Sequence, residues 1–80
     1  MSGLDTAEVV LDGRSIPCQI KHGLVIQTCL ALPAQGSLVL LNGKDPGGVL
    51  HDLTTDYPGQ FAWEYLESGP ELYRLRFRRV

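Results

Sequence analysis

The sequence predicts an α+β fold: a two-layer α/β sandwich in which a four-stranded mixed sheet carries two helices on one face, in the order βαβαββ. Three observations predict it. Apolar runs at Val9–Leu11 and Leu38–Leu41 flank a segment of helical period, which is the pattern of two parallel strands joined by a crossover helix. A second, shorter helical segment follows, opened by Asp45-Pro46. The C-terminal residues then alternate with a period of two on either side of Gly69-Pro70, as a β-hairpin does.

The first strand is expected over Ala7–Leu11, where Val9, Val10 and Leu11 form a β-branched run, with Asp12–Ser15 as a loop. Pro17 disfavours helix at Ile16, so helix 1 begins around Cys18 or Gln19. From there to Leu32 the spacing of His22, Val25, Ile26, Cys29 and Leu32 places these side chains on one helical face, the core stripe. Pro33 stops the helix, and Ala34-Gln35-Gly36 turns into Ser37–Leu41. Consecutive Leu38, Val39, Leu40 and Leu41 suit a central strand covered on both sides. A right-handed crossover makes strands 1 and 2 parallel.

Asn42-Gly43-Lys44 reads as a loop, Asp45 as the N-cap of helix 2, and Pro46 as its first residue, where the missing N–H costs nothing. This helix should run to about Asp56 on an apolar face of Val49, Leu50, Leu53 and Tyr57, weakened by Gly47 and Gly48 in its first turn. After the Pro58-Gly59 turn, Phe61, Trp63 and Tyr65 alternate with Ala62, Glu64 and Leu66. Glu67–Pro70 reverses the chain, and Leu72–Val80 sets Tyr73, Leu75 and Phe77 against Arg74, Arg76 and Arg78. The apolar sides face the helices, which leaves Glu64 near the arginine row on the open face.

Eighty residues, 44% hydrophobic and 20% charged, fit one core: a domain over residues 7–80 with a flexible lead-in over 1–6. No stretch has the ~20 apolar residues of a membrane helix and no secretory pattern opens the chain, so a cytoplasmic location without membrane contact is expected. A net charge of -2 gives no overall pull toward nucleic acid. Arg74, Arg76, Arg78 and Arg79 beside Trp63 and Tyr65 invite a single-strand platform, but strand alternation sets the aromatics and arginines on opposite faces. The expected partner is therefore a protein. Two cysteines do not make a disulfide scaffold, and the ~15 Å of helix between Cys18 and Cys29 exceeds a bridge's reach.

The run Leu11-Asp12-Gly13-Arg14-Ser15-Ile16-Pro17-Cys18, the Asp45-Pro46 pair, and Pro58-Gly59, Phe61, Trp63-Glu64-Tyr65-Leu66 and Gly69-Pro70-Glu71 resemble the bacterial family called domain of unknown function 2249. The resemblance covers roughly Val10 to Arg78. That family in turn looks like a relative of the TusA/SirA sulfur carriers, which implies the same two-layer fold. In those carriers a cysteine eight residues into an L-D-x-R-x-L-x-C run accepts a persulfide sulfur, and Cys18 falls at that place. The carriers follow it with Pro-x-Pro, where this chain has Gln19-Ile20-Lys21. The uncharacterised family usually has proline-rich sequence in place of the cysteine, often has a histidine where Lys44 stands and a large apolar residue where Cys29 stands, and often has the histidine matched by His22.

Cys18 is the candidate catalytic thiol. A helix N-terminus, with Arg14 and Lys21 near in sequence, is expected to favour the thiolate relative to a free cysteine. Its competing reading is a small residue at a helix start. His22, four residues on, is a candidate auxiliary base against the plainer reading of a half-buried structural histidine. Asp12, Arg14 and Lys21 are candidate binding residues, although for Asp12 and Arg14 pairing with each other or capping the loop is the preferred reading. Cys29 is core filler. No metal site is expected, because Cys18, His22 and His51 lack zinc spacing, and no cofactor, because neither a dinucleotide nor a phosphate-loop motif is present.

Two functions from different classes follow. One is a non-catalytic interaction or adaptor domain of redox- or sulfur-related context, docking through the Asp12–Ser15 loop or the open sheet face. The other is a sulfur carrier that relays a persulfide on Cys18, with Arg14 and Lys21 steering an acidic partner surface. The adaptor is favoured because the resembled family commonly lacks the cysteine. An enzyme acting on small molecules ranks behind both, for want of an assembled acid/base pair.

Overall fold

The computed structural model of the protein describes residues 8–80; the expected lead-in and Ala7 lie outside the described residues. The elements are β1 (Glu8–Asp12), a 3-10 turn (Gly13–Ser15), α1 (Cys18–Leu30), β2 (Ser37–Asn42), α2 (Gly47–Asp56), β3 (Phe61–Ser68) and β4 (Tyr73–Arg79). The order is the expected βαβαββ. The four strands form one mixed sheet in the order β1-β2-β4-β3. β1 runs parallel to β2 with Val10 opposite Val39, and β4 is antiparallel to both β2 and β3. The two helices cover one face.

β2 is central because its run of aliphatic side chains is buried on both faces from Ser37 through Leu40. Leu38 and Leu40 point to the helices and meet Leu75 and Phe77 of β4; α1 adds Val25 and Cys29, and α2 adds Val49 and Leu53. Leu38, Leu40, Leu53, Leu75, Phe77, Val25 and Cys29 are fully buried. Burial of each large apolar side chain contributes roughly 1.5–3 kcal/mol, the main force holding helices to sheet. The core stripe of α1 is as its spacing predicts. It departs at its two ends: His22 remains nearly half exposed, and Leu32 lies past the end of the helix.

Several boundaries differ from expectation: β1 and β2 each run one residue further, to Asp12 and Asn42, and the larger differences are these. α1 ends at Leu30, two residues early, and Leu32 is still buried because the chain drops it onto the same core. β3 continues through Glu67 and Ser68, since a bulge at Leu66 re-registers it so that Glu67 faces Arg74 and Ser68 faces Tyr73. The reversal therefore falls at Gly69–Leu72. Gly69 has φ +63 and the Tyr73 ring lies 2.7 Å from where a Cβ would stand, so only glycine fits.

Asp45 does not cap α2. The helix begins at Gly47 with Pro46 in the cap position and no side-chain cap bond, and the first backbone bond is from Leu50 N–H to Pro46 O at 3.2 Å. The Asp45 carboxylate instead accepts the Tyr65 hydroxyl hydrogen at 2.7 Å, a tertiary bond that outcompetes the local one.

On the open face Arg76 bridges Glu8 Oε2 at 3.1 Å and Glu64 Oε1 at 3.3 Å, and Arg74 pairs with Glu67 at 3.1 Å. Ser37 donates to Glu8 at 2.8 Å. Arg79 departs from this row. It lies on the helix side, over the Phe61 ring at 5.6 Å, and donates to the Leu30 carbonyl at 2.7 Å, closing the C-terminal end of α1.

Candidate functional site

Parallel pairing of β1 and β2 brings their C-terminal ends together, and each strand leads directly into a helix. The N-terminal ends of α1 and α2 consequently flank one open cleft of about 460 Å³. Arg14, Cys18, Lys21 and His22 line it from the first crossover, and Asn42, Lys44, Asp45 and Gly48 from the second.

The floor is built on Asn42. As the last residue of β2 it occupies the same face as Leu38 and Leu40, so a polar side chain enters the helix layer where two leucines precede it. It is 8% exposed and both its polar atoms are bonded: its oxygen accepts from Lys21 Nζ at 2.8 Å and its amide nitrogen donates to the Lys44 carbonyl at 2.8 Å. One side chain thus ties α1 to the loop before α2. Lys21 passes across Gly13, where an added Cβ would lie 2.9 Å from its Cδ and 3.0 Å from the Leu41 carbonyl oxygen. The 3-10 turn needs glycine at that point because the turn and β2 are in contact.

Asp12 and Arg14 pair with each other. Asp12 Oδ1 accepts from the Arg14 backbone N–H at 3.0 Å and from Nε at 2.9 Å, while Oδ2 meets Nη2 at 2.9 Å. The side-chain and backbone hydrogen bonds from Arg14 hold the Asp12 carboxyl down at about 2. This caps the 3-10 turn and fixes the guanidinium at the rim of the cleft. His22 Nε2 is 2.5 Å from Asp52 Oδ2 of α2, both side chains nearly half exposed. The pair links the two helices at the cleft wall.

Cys18 is the first residue of α1 and exposed, whereas Cys29 is fully buried and its thiol is pushed up to about 12 by desolvation. The two thiols are separate. Cys18, Arg14, Lys21 and His22 all lie on the cleft; Asp12 acts behind Arg14, and His51 stands exposed on α2. Among the described residues no three of His, Cys, Asp and Glu group as metal ligands.

Residues 10–79 match the family described as Uncharacterized conserved protein (DUF2249). The chain belongs to that family. The matched span includes both crossovers, and hence every residue of the cleft, together with the hairpin. Neither the curated proteins nor the solved structures gave a match.

Sequence reasoning did not find Asn42, Asp52 or Lys44 as parts of this site. For Asn42 a signal existed: an amide ending an aliphatic strand, at the helix-facing parity of Leu38 and Leu40, asks for a buried partner. Asp52 pairs with a residue on another helix, a contact that no local pattern encodes.

Proposed function

We propose that the protein is a small interaction domain that docks an acidic segment of a partner protein into the cleft between the N-terminal ends of α1 and α2. The carrying observation is the composition of its lining. Among the residues that line it, Arg14, Lys21 and Lys44 outnumber the one carboxylate, Asp45, with Arg14 paired to Asp12 behind it, and the free N–H groups of two helix starts add positive potential. Asp45 is already engaged by Tyr65. Lys44 is exposed, has no ion-pair partner among the described residues, and is free to meet an incoming carboxylate. Rim charges of this kind act mainly on association rate and selectivity.

The test is capture from extracts of the native cells by the tagged protein, compared with its Lys44→Glu and Cys18→Ser forms. A partner retained by wild type and Cys18→Ser but lost by Lys44→Glu supports docking. A partner lost by Cys18→Ser, or held equally by all three, counts against it.

The exposure of Cys18 in the same cleft favours a second reading, the sulfur carrier suggested by resemblance to the TusA/SirA proteins. The Cys18 thiolate attacks the outer sulfur of a donor persulfide, forming a new S–S bond at Cys18 as the donor's S–S bond breaks and its thiolate leaves. Incubation with a persulfide donor should then add about 32 Da at Cys18. An unchanged mass with the donor active on a control thiol removes this reading.

A further inference from the structure

β3 lies at the margin of the sheet, with β4 on one side and no strand among the described residues on the other. Its outward N–H and C=O groups are a template for another strand. Trp63 on this edge is 48% exposed, its ring set edge-on to Tyr65 at 6.4 Å. The regular part of β3 is Phe61–Tyr65, because the bulge at Leu66 breaks register beyond it. Trp63 is the midpoint of that stretch.

On the open face Arg78 stands opposite Ala62. Arg74 and Arg76 have carboxylate partners, whereas Arg78 has none among the described residues. Beside it Ala62, Glu64, Arg76 and Ser37 line a shallow depression of about 380 Å³. The small side chain of Ala62 leaves room there for a longer one.

We infer that β3 pairs edge to edge with β3 of a second copy, antiparallel and centred on Trp63. The two four-stranded sheets then form one continuous sheet. In this register Trp63 faces its own copy, Phe61 faces Tyr65 of the second copy, and Glu64 of the second copy lies beside Ala62. Strand spacing puts that Glu64 about 9–10 Å, Cα to Cα, from Arg78 across the alanine, within reach of two long side chains. The symmetry repeats the pair. Centring one residue later sets Glu64 against Glu64. Centring one residue earlier sets it against Gln60, away from Arg78. The charge pattern thus selects the same register as the aromatics.

Sedimentation velocity over a concentration series tests this, with circular dichroism to confirm that each variant is folded. Wild type should self-associate. Arg78→Glu should weaken the dimer roughly tenfold, since like charges now meet at two symmetric places, and Trp63→Arg should leave it monomeric. Amide exchange in β3 should slow as concentration rises. A wild-type chain that stays monomeric throughout overturns the inference, as does a dimer indifferent to Arg78→Glu and Trp63→Arg.

Discussion

Lys21 Nζ donates to Asn42 Oδ1 at 2.8 Å, and through Asn42 the first helix is bonded to the loop that starts the second. Replacement by leucine would keep the apolar volume but leave the Lys44 carbonyl and the Lys21 ammonium without this partner. The expected loss is about 2 kcal/mol, since one of the two bonds is charge-assisted and the group is buried. Denaturant unfolding of Asn42→Leu measures it. Asn42→Asp should retain the Lys21 bond but set a carboxylate against the Lys44 carbonyl, and should also lose stability.

The Asp12 carboxyl is held at about 2 against its ordinary 3.8, by hydrogen bonds from Arg14. A carboxylate whose folded value is depressed stabilises the fold above the unfolded value and loses that contribution as pH falls through the folded one. Wild type should therefore exceed Asp12→Asn in stability at neutral pH, and the gap should close between about pH 4 and pH 2. Acid unfolding curves of the two proteins give the comparison.

The thiols should separate cleanly. In native buffer an alkylating reagent should modify Cys18 and leave Cys29, whose burial removes both access and thiolate. In denaturant both should react. Peptide mapping after a short native pulse distinguishes them; prompt native labelling of Cys29 would mean that the α1 core stripe opens readily.

Tyr65 is raised from its ordinary 10.0 to about 12, first by burial and then by its bond to Asp45. The neutral phenol is the form the fold prefers, so its contribution holds below about pH 10 and fades as pH rises through 12. Spectrophotometric titration should place Tyr65 high, and Asp45→Asn should bring it only part of the way back because burial is the larger cause. Tyr65→Phe should cost up to about 1 kcal/mol for one solvent-side hydrogen bond.

These expectations also mark what was readable in the chain alone. The strand and helix order, the buried faces of β2 and α1, and the pairing of Glu64 with the arginine row follow from period and parity, which depend on neighbours along the chain. The placement of Cys18, Arg14 and Lys21 follows from the first crossover. Cap chemistry is local and points to Asp45 as a cap, and a tyrosine 20 residues away overrides it. Spacing places His22 on the core stripe, and Asp52 of the neighbouring helix holds it at the wall of the cleft. The bulge at Leu66 likewise came from sheet register. Each difference is a tertiary contact prevailing over a local preference.

The most direct test of the docking cleft is site-specific photo-crosslinking in the native cells. A crosslinking side chain at Lys44 sits on the cleft; one at Gln27, exposed on α1 and absent from the lining, is the control. The account predicts a discrete crosslinked partner from position 44, retained in the Cys18→Ser background, and none from position 27. Crosslinks of equal yield from both positions, or none from position 44, would contradict it.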